Sequence, residues 1–134
     1  MRAGESRERA VEQAPVGPAA LRTFFRIAEA WSLSPDEQKT LLGIPSSSTF
    51  YKWKRTPPER LAPDLLERLS YLFGIYKALE ILLPHDVPKH GWLRRPNDHP
   101  LFGGRPPLQR MLSGLVSDLY VVRRYLDAER GGWS

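Results

Sequence analysis

The chain contains no cysteine, which excludes disulfides, thiolate zinc sites, iron–sulfur clusters and cysteine nucleophiles and leaves packing to supply stability. Histidine is almost as scarce, with only His85, His90 and His99 present. No apolar run approaches the roughly 18 to 20 residues of a membrane span. The opening MRAGESRERAVEQ lacks the apolar stretch of a secretory leader, so the expectation is a cytoplasmic protein. No segment alternates polar and apolar residues as a half-buried strand would, and acids are outnumbered by bases, 15 Asp+Glu against 20 Lys+Arg. The resulting charge of +5 suits contact with nucleic acid or an acidic protein surface, but is equally the mark of a merely basic exterior.

What is present is enough for a core: 134 residues, 41% of them hydrophobic, make one domain or two very small helical ones. Residues 1–17 carry almost no large apolar side chain and read as a flexible tail. From Pro18 onward Leu21, Phe24, Phe25, Ala28 and Trp31 recur at steps of three and four, the stripe of a helix ending near Trp31. Ser34-Pro35-Asp36-Glu37 spells a capping box with proline in the first turn. Gly43, after Leu41 and Leu42, is placed to end that short helix in a left-handed cap. Ser46 can cap a third helix, with Phe50 and Trp53 turned inward, that stops before Pro57-Pro58.

A fourth apolar period, Leu65, Leu66, Leu69, Leu72 and Phe73, passes Gly74 and resumes at Ile75, Ala78, Leu79 and Leu82. It is one kinked helix or two, with Gly74 a break or a point of close packing. A short helical element over Pro107 to Ser113 and a last helix with Leu115, Leu119, Val122 and Leu126 on one stripe complete an all-α fold.

Three short helices with a glycine-containing turn before the third fit a helix-turn-helix. In that geometry Ser47, Ser48, Thr49 and Tyr51 face base edges and phosphates, while Lys52, Lys54 and Arg55 neutralise phosphate charge. The alternative is that the hydroxyls are caps and the bases a solvated face.

Residues 84–107 are different in character, with six prolines and the Gly103-Gly104 pair set among Trp92, Leu93, Leu101 and Phe102. So long a connection inside a small domain points to function. Between Lys89 and Arg110 five bases face one acid, Asp98, with Trp92 and Phe102 interleaved, the composition of a protein–protein hot spot. Single-stranded nucleic acid would suit the same residues, but proline rigidity favours a preformed protein-docking surface. Both rings could instead pin the connection to the core. The double glycine, with no following Lys-Ser pair, is no phosphate-binding loop and would permit close backbone approach to a partner or a neighbouring helix.

No nucleophile with a positioned base can be nominated, so the chain is not expected to be an enzyme. A metal set of His85, His90 and His99 with Asp86 and Asp98 has no helical ligand spacing, and no metal or cofactor is expected.

Residues 92–114 (WLRRPNDHPLFGGRPPLQRMLSG) followed by 118–132 (DLYVVRRYLDAERGG) resemble the toxin-binding domain of Xre/MbcA/ParS-type antitoxins. Upstream, 31–55 resemble that family's Xre-like helix-turn-helix and 65–84 its linking helices, so the resemblance runs from about residue 20 to 132. It implies a DNA-binding domain at 18–60, linking helices at 61–83 and a toxin-binding domain at 84–134. It also implies an antitoxin that occludes the active site of a RES-domain, NAD-degrading toxin and can repress its own operon, working as a homodimer within a larger complex. Carried over by motif, the toxin contacts are Trp92, Arg94, Arg95, Asn97, Phe102, Gly103, Gly104, Arg105 and Pro106, with Arg123, Arg124, Arg130 and Trp133 behind them. A stand-alone helix-turn-helix regulator is the competing reading.

Overall fold

The computed structural model describes residues 16–132, and among them every regular element is a helix. The expected tail at 1–17 lies outside the described residues except for its end: Gly17 already opens α1, Gly17–Ala30. Its amide donates to the Glu59 carbonyl at 3.0 Å, and a Cβ there would overlap the Pro58 carbonyl oxygen. Leu21, Phe24, Ala28 and Trp31 face the core as their spacing predicts, with Ile27 beside them, whereas Phe25 is only half-buried.

Helix α2, Pro35–Leu42, begins with the capping box in full. Glu37 N–H donates to Ser34 Oγ and Ser34 N–H to Glu37 Oε1. Gly43 closes it at φ +72°, the left-handed conformation glycine adopts without strain. Helix α3, Ser47–Arg55, is capped by Ser46 Oγ, which accepts from Thr49 N–H, and buries Phe50 completely.

Helix α4, Pro63–Leu82, is continuous through Gly74, so the glycine is a packing point and not a break. A Cβ at Gly74 would overlap the guanidinium of Arg123, which lies across α4 and donates to the Ser70 carbonyl at 3.1 Å. Helices α5 (Lys89–Arg94), α6 (Pro107–Met111) and α7 (Val116–Gly132) form the C-terminal half. The most extensive packing joins α7 to α4, and α4 also meets α1 and α2. One apolar cluster therefore runs unbroken from Leu21 to Leu126, with the N-terminal helix-turn-helix packed on the C-terminal half.

Two expectations at the end of the chain need correction. The short element stops at Met111 and turns at Gly114 (φ +89°). Leu115, expected on the buried stripe, sits just before α7 and is 61% exposed, because the helix and its inward face begin one residue later.

Candidate functional site

The proline-rich connection is ordered by its own backbone. Asn97 N–H donates to the Arg105 carbonyl (3.1 Å) and Gly104 N–H to the Asn97 carbonyl (2.9 Å), closing residues 97–105 into a loop. Inside it the His99 carbonyl accepts from Phe102 N–H (2.8 Å) and Gly103 N–H (3.1 Å). Asn97 Oδ1 accepts from His99 N–H at 2.9 Å, an Asx turn, and His99 Nδ1 from Leu101 N–H at 3.2 Å. Asn97 thus shapes the loop through both backbone and side chain.

Rings support this loop from beneath. Phe102, 5% exposed, stands edge-on to Trp92 (centroids 6.0 Å apart, 90°) and to Tyr125 of α7 (5.5 Å, 86°). His99 lies 4.6 Å from the Tyr125 ring. Burial, assisted by Glu129, pushes the Tyr125 hydroxyl above the usual tyrosine value. Edge-to-face pairs of this kind add about 0.5–1.5 kcal/mol each beyond burial. Phe102 is therefore a support of the loop, and Trp92 is half-buried at its margin.

Asp98, Pro100, Gly103, Gly104 and Arg105 of the loop are exposed, the last three forming its tip. The left-handed conformations of Gly103 and Gly104 (φ +59° and +81°) favour glycine there. Among the described residues, and apart from their own chain neighbours, no atom lies within 4 Å of where a Cβ would stand at either position, so neither glycine packs against a described helix. Pro106 flanks the tip, and Arg110 secures its base by donating to the Leu101 carbonyl (2.7 Å) and to Asp118 (2.9 Å). Asp118 also accepts from the Ser113 hydroxyl (2.6 Å). That bond and the arginine hold its carboxyl below the ordinary value against a partial burial penalty.

The remaining arginines of the candidate surface are distributed otherwise. Arg95 is exposed and folds back onto the Gly91 carbonyl (3.1 Å). Arg94 turns toward the helix-turn-helix, binding Glu37 with two bonds and donating to the Ser32 carbonyl at 2.8 Å. Its hydrogen bonds lower the Glu37 carboxyl below the usual range, opposed by desolvation and helped by Ser34. Arg123 is engaged with Ser70 and Asp127, Arg124 with the Tyr120 hydroxyl, and Arg130 with Asp127. None of these three makes a hydrogen bond or ion pair with the loop among the described residues, and Trp133 lies outside them.

On the opposite half, α3 presents Ser47, Ser48, Tyr51, Lys52 and Arg55 to solvent, with Thr49 half-buried. Lys54 is exposed, and its Nζ lies 5.7 and 5.8 Å from the Phe25 and Phe50 ring centres, a cation–π position. Ser47 Oγ accepts from Lys39 of α2 (2.8 Å), and Lys39 pairs with Asp36 (3.1 Å). Ser46 and Ser48 hydroxyls bond each other at 2.9 Å. The hydroxyl-rich start of α3 is thus held as a prearranged group.

Among the described residues, no three His, Asp or Glu side chains are grouped to hold a metal, and His85, His90 and His99 do not converge with Asp86 and Asp98. No helix among them is long and apolar enough to cross a membrane.

Residues 16–74 match the antitoxin Xre-like helix-turn-helix domain, and residues 78–132 match the antitoxin Xre/MbcA/ParS C-terminal toxin-binding domain. The chain belongs to the Xre/MbcA/ParS antitoxin family. An uncharacterized protein, y4oB, of Sinorhizobium fredii (strain NBRC 101917 / NGR234) is 51% identical to the antitoxin over 115 residues, 86% of this chain and 87% of that one. No solved structure matches the antitoxin.

The loop and its ring support fall in the toxin-binding part of the antitoxin, and α2–α3 in the helix-turn-helix part. Reasoning from sequence missed Glu37, Lys39, Tyr125 and His99 as members of these surfaces. Only Tyr125 carried a readable signal, three residues after Val122 on the inward face of α7.

Proposed function

We propose that the antitoxin neutralises a RES-domain, NAD-degrading toxin by covering its active site with the surface built around residues 97–105. The antitoxin acts on this reading as a cytoplasmic binding protein without catalysis of its own. The observation that carries it is the closed loop, backed by the buried Phe102 ring and its half-buried aromatic neighbours, whose Gly103-Gly104-Arg105 tip is held ready and exposed. A preformed tip lowers the ordering cost of docking, and glycine backbone lets a partner come close. The toxin class comes from the resemblance of residues 92–132 to partners of RES enzymes.

Mixing the full chain with the cognate RES-domain protein tests this. NAD loss stops at saturating antitoxin and persists with Arg105→Glu; undiminished NAD loss with folded wild-type antitoxin overturns the proposal.

Operator binding by a homodimer, with Ser47, Ser48, Thr49, Tyr51, Lys52, Lys54 and Arg55 toward DNA, is the second part of the reading. The outward group on α3, anchored through Lys39, favours it. It also keeps alive a stand-alone transcriptional regulator. Sequence-specific retardation of the operon's upstream DNA by the antitoxin alone, with a two-fold symmetric footprint, is the expected result.

A further inference from the structure

Two hollows flank the tip of the loop and share a wall. One, of about 220 Å³, is lined by Leu101, Phe102, Arg105, Pro106, Gln109 and Arg110. The other, of about 370 Å³, is lined by Pro106, Leu108, Gln109 and Leu112 on one side and by Arg94 and Glu37 on the other. Pro106 and Gln109 form the ridge between them. The larger hollow opens at the seam of the molecule, because Glu37 belongs to α2 and Leu108 and Gln109 to α6. Pro106, Leu108 and Leu112 give it an aliphatic side, and the charges at its rim are already paired with each other, Arg94 with Glu37 at 2.9 Å.

We infer that the toxin-binding surface continues over the Pro106–Gln109 ridge into this seam, so that one bound toxin touches both halves of the antitoxin. The inference rests on the proposed toxin reading and extends it to a second contact. Three observations favour the toxin as occupant. The groove adjoins the hollow beside the tip across two shared residues, Pro106 and Gln109, so a partner seated on Gly103–Arg105 lies next to it. Its walls are rigid, one being a proline-initiated helix and the other an arginine bonded to both a carboxylate and the Ser32 carbonyl. With the rim charges mutually satisfied, the groove selects an uncharged, apolar side chain and not an anion, which suits a protein segment and not nucleic acid.

A toxin side chain seated there presses on the Arg94–Glu37 pair, and Glu37 caps α2 of the helix-turn-helix. Toxin occupancy and the setting of the DNA-facing half are then linked by direct contact.

The test measures toxin affinity of the full antitoxin by calorimetry, with Gln109→Trp and Leu112→Arg in the seam and Arg105→Glu at the tip. Gln109 is exposed, so its replacement narrows the groove without disturbing the core. Each seam variant is expected to weaken binding about tenfold or more, the cost of losing one well-seated contact. Amide exchange supplies a second reading, because adding toxin to the wild type should slow exchange at residues 34–38 as well as at 97–105.

Loss of affinity in Arg105→Glu, with seam variants binding like wild type and protection confined to 97–105, overturns this inference alone. Failure of the wild-type chain to bind the toxin overturns it together with the reading on which it rests.

Discussion

The Arg94 guanidinium holds both oxygens of the Glu37 carboxylate, at 2.9 and 3.2 Å, joining the last residue of α5 to the first turn of α2. Glu37 Oε1 is shared, since it also accepts from the Ser34 amide at 2.8 Å. One carboxylate therefore caps a helix and fastens the two halves. Arg94 reads from sequence as a toxin contact, but its guanidinium is occupied within the chain.

Glu37→Gln weakens this fastening by about 1 kcal/mol or less, because the pair is partly exposed and screened by water. The pH dependence has a definite sign. A carboxyl whose pKa is lowered by folding stabilises the fold above its unfolded value, 4.5, and that contribution fades as pH falls below it through the folded value. Thermal melting of wild type and Glu37→Gln should differ at neutral pH and converge on acidification.

Gly104→Ala puts a side chain at φ +81°, where space is open but the backbone is strained, costing about 1–2 kcal/mol. Global stability falls little if the loop opens locally instead, and toxin affinity then carries the loss. Gly104→Asn should recover part of that affinity, because asparagine tolerates the left-handed region better. Equal binding by wild type and Gly104→Ala would contradict a conformation-dependent tip.

Lys52 and Lys54 are two residues apart and should respond differently. Lys52→Ala is expected to reduce the salt slope of operator binding by about 1, the signature of one lost phosphate contact. Lys54→Ala also removes an ammonium from the Phe25 and Phe50 rings, so stability falls as well, by about 0.5–1 kcal/mol, and the melting temperature with it. Paired salt titrations and melting curves separate the two effects.

Asp118→Asn leaves Arg110 without its anion and weakens the Ser113 hydrogen bond that fixes the start of α7. A loss of about 1–3 kcal/mol is expected, measured by chemical denaturation. Since folding lowers the Asp118 pKa, the loss is full at neutral pH and smaller in acid.

The helices were largely legible because their ends are written in local chemistry. Ser34 with Glu37, Ser46 and Gly43 each perform the capping their types predict. Leu115 shows the limit of periodicity, which extends a stripe past a helix start without detecting that the backbone has not yet turned. Gly74 shows another: whether glycine breaks a helix or admits a neighbour depends on Arg123, far along the chain. On the candidate surface the double glycine is visible in the sequence, but whether it faces a partner or a neighbouring helix is open there, and the assignment of each arginine is not readable. Arg94, Arg110 and Arg123 are alike in sequence, and only the fold decides that their guanidinium groups bind inside the chain.

Helix α4 runs without interruption from the DNA-facing half into the toxin-binding half. The two modules consequently share a single rod, and anyone recombining them must splice inside it. Each residue inserted or deleted at such a junction swings everything downstream through about 100°. Interchange between relatives is thereby restricted to joints that preserve helical phase.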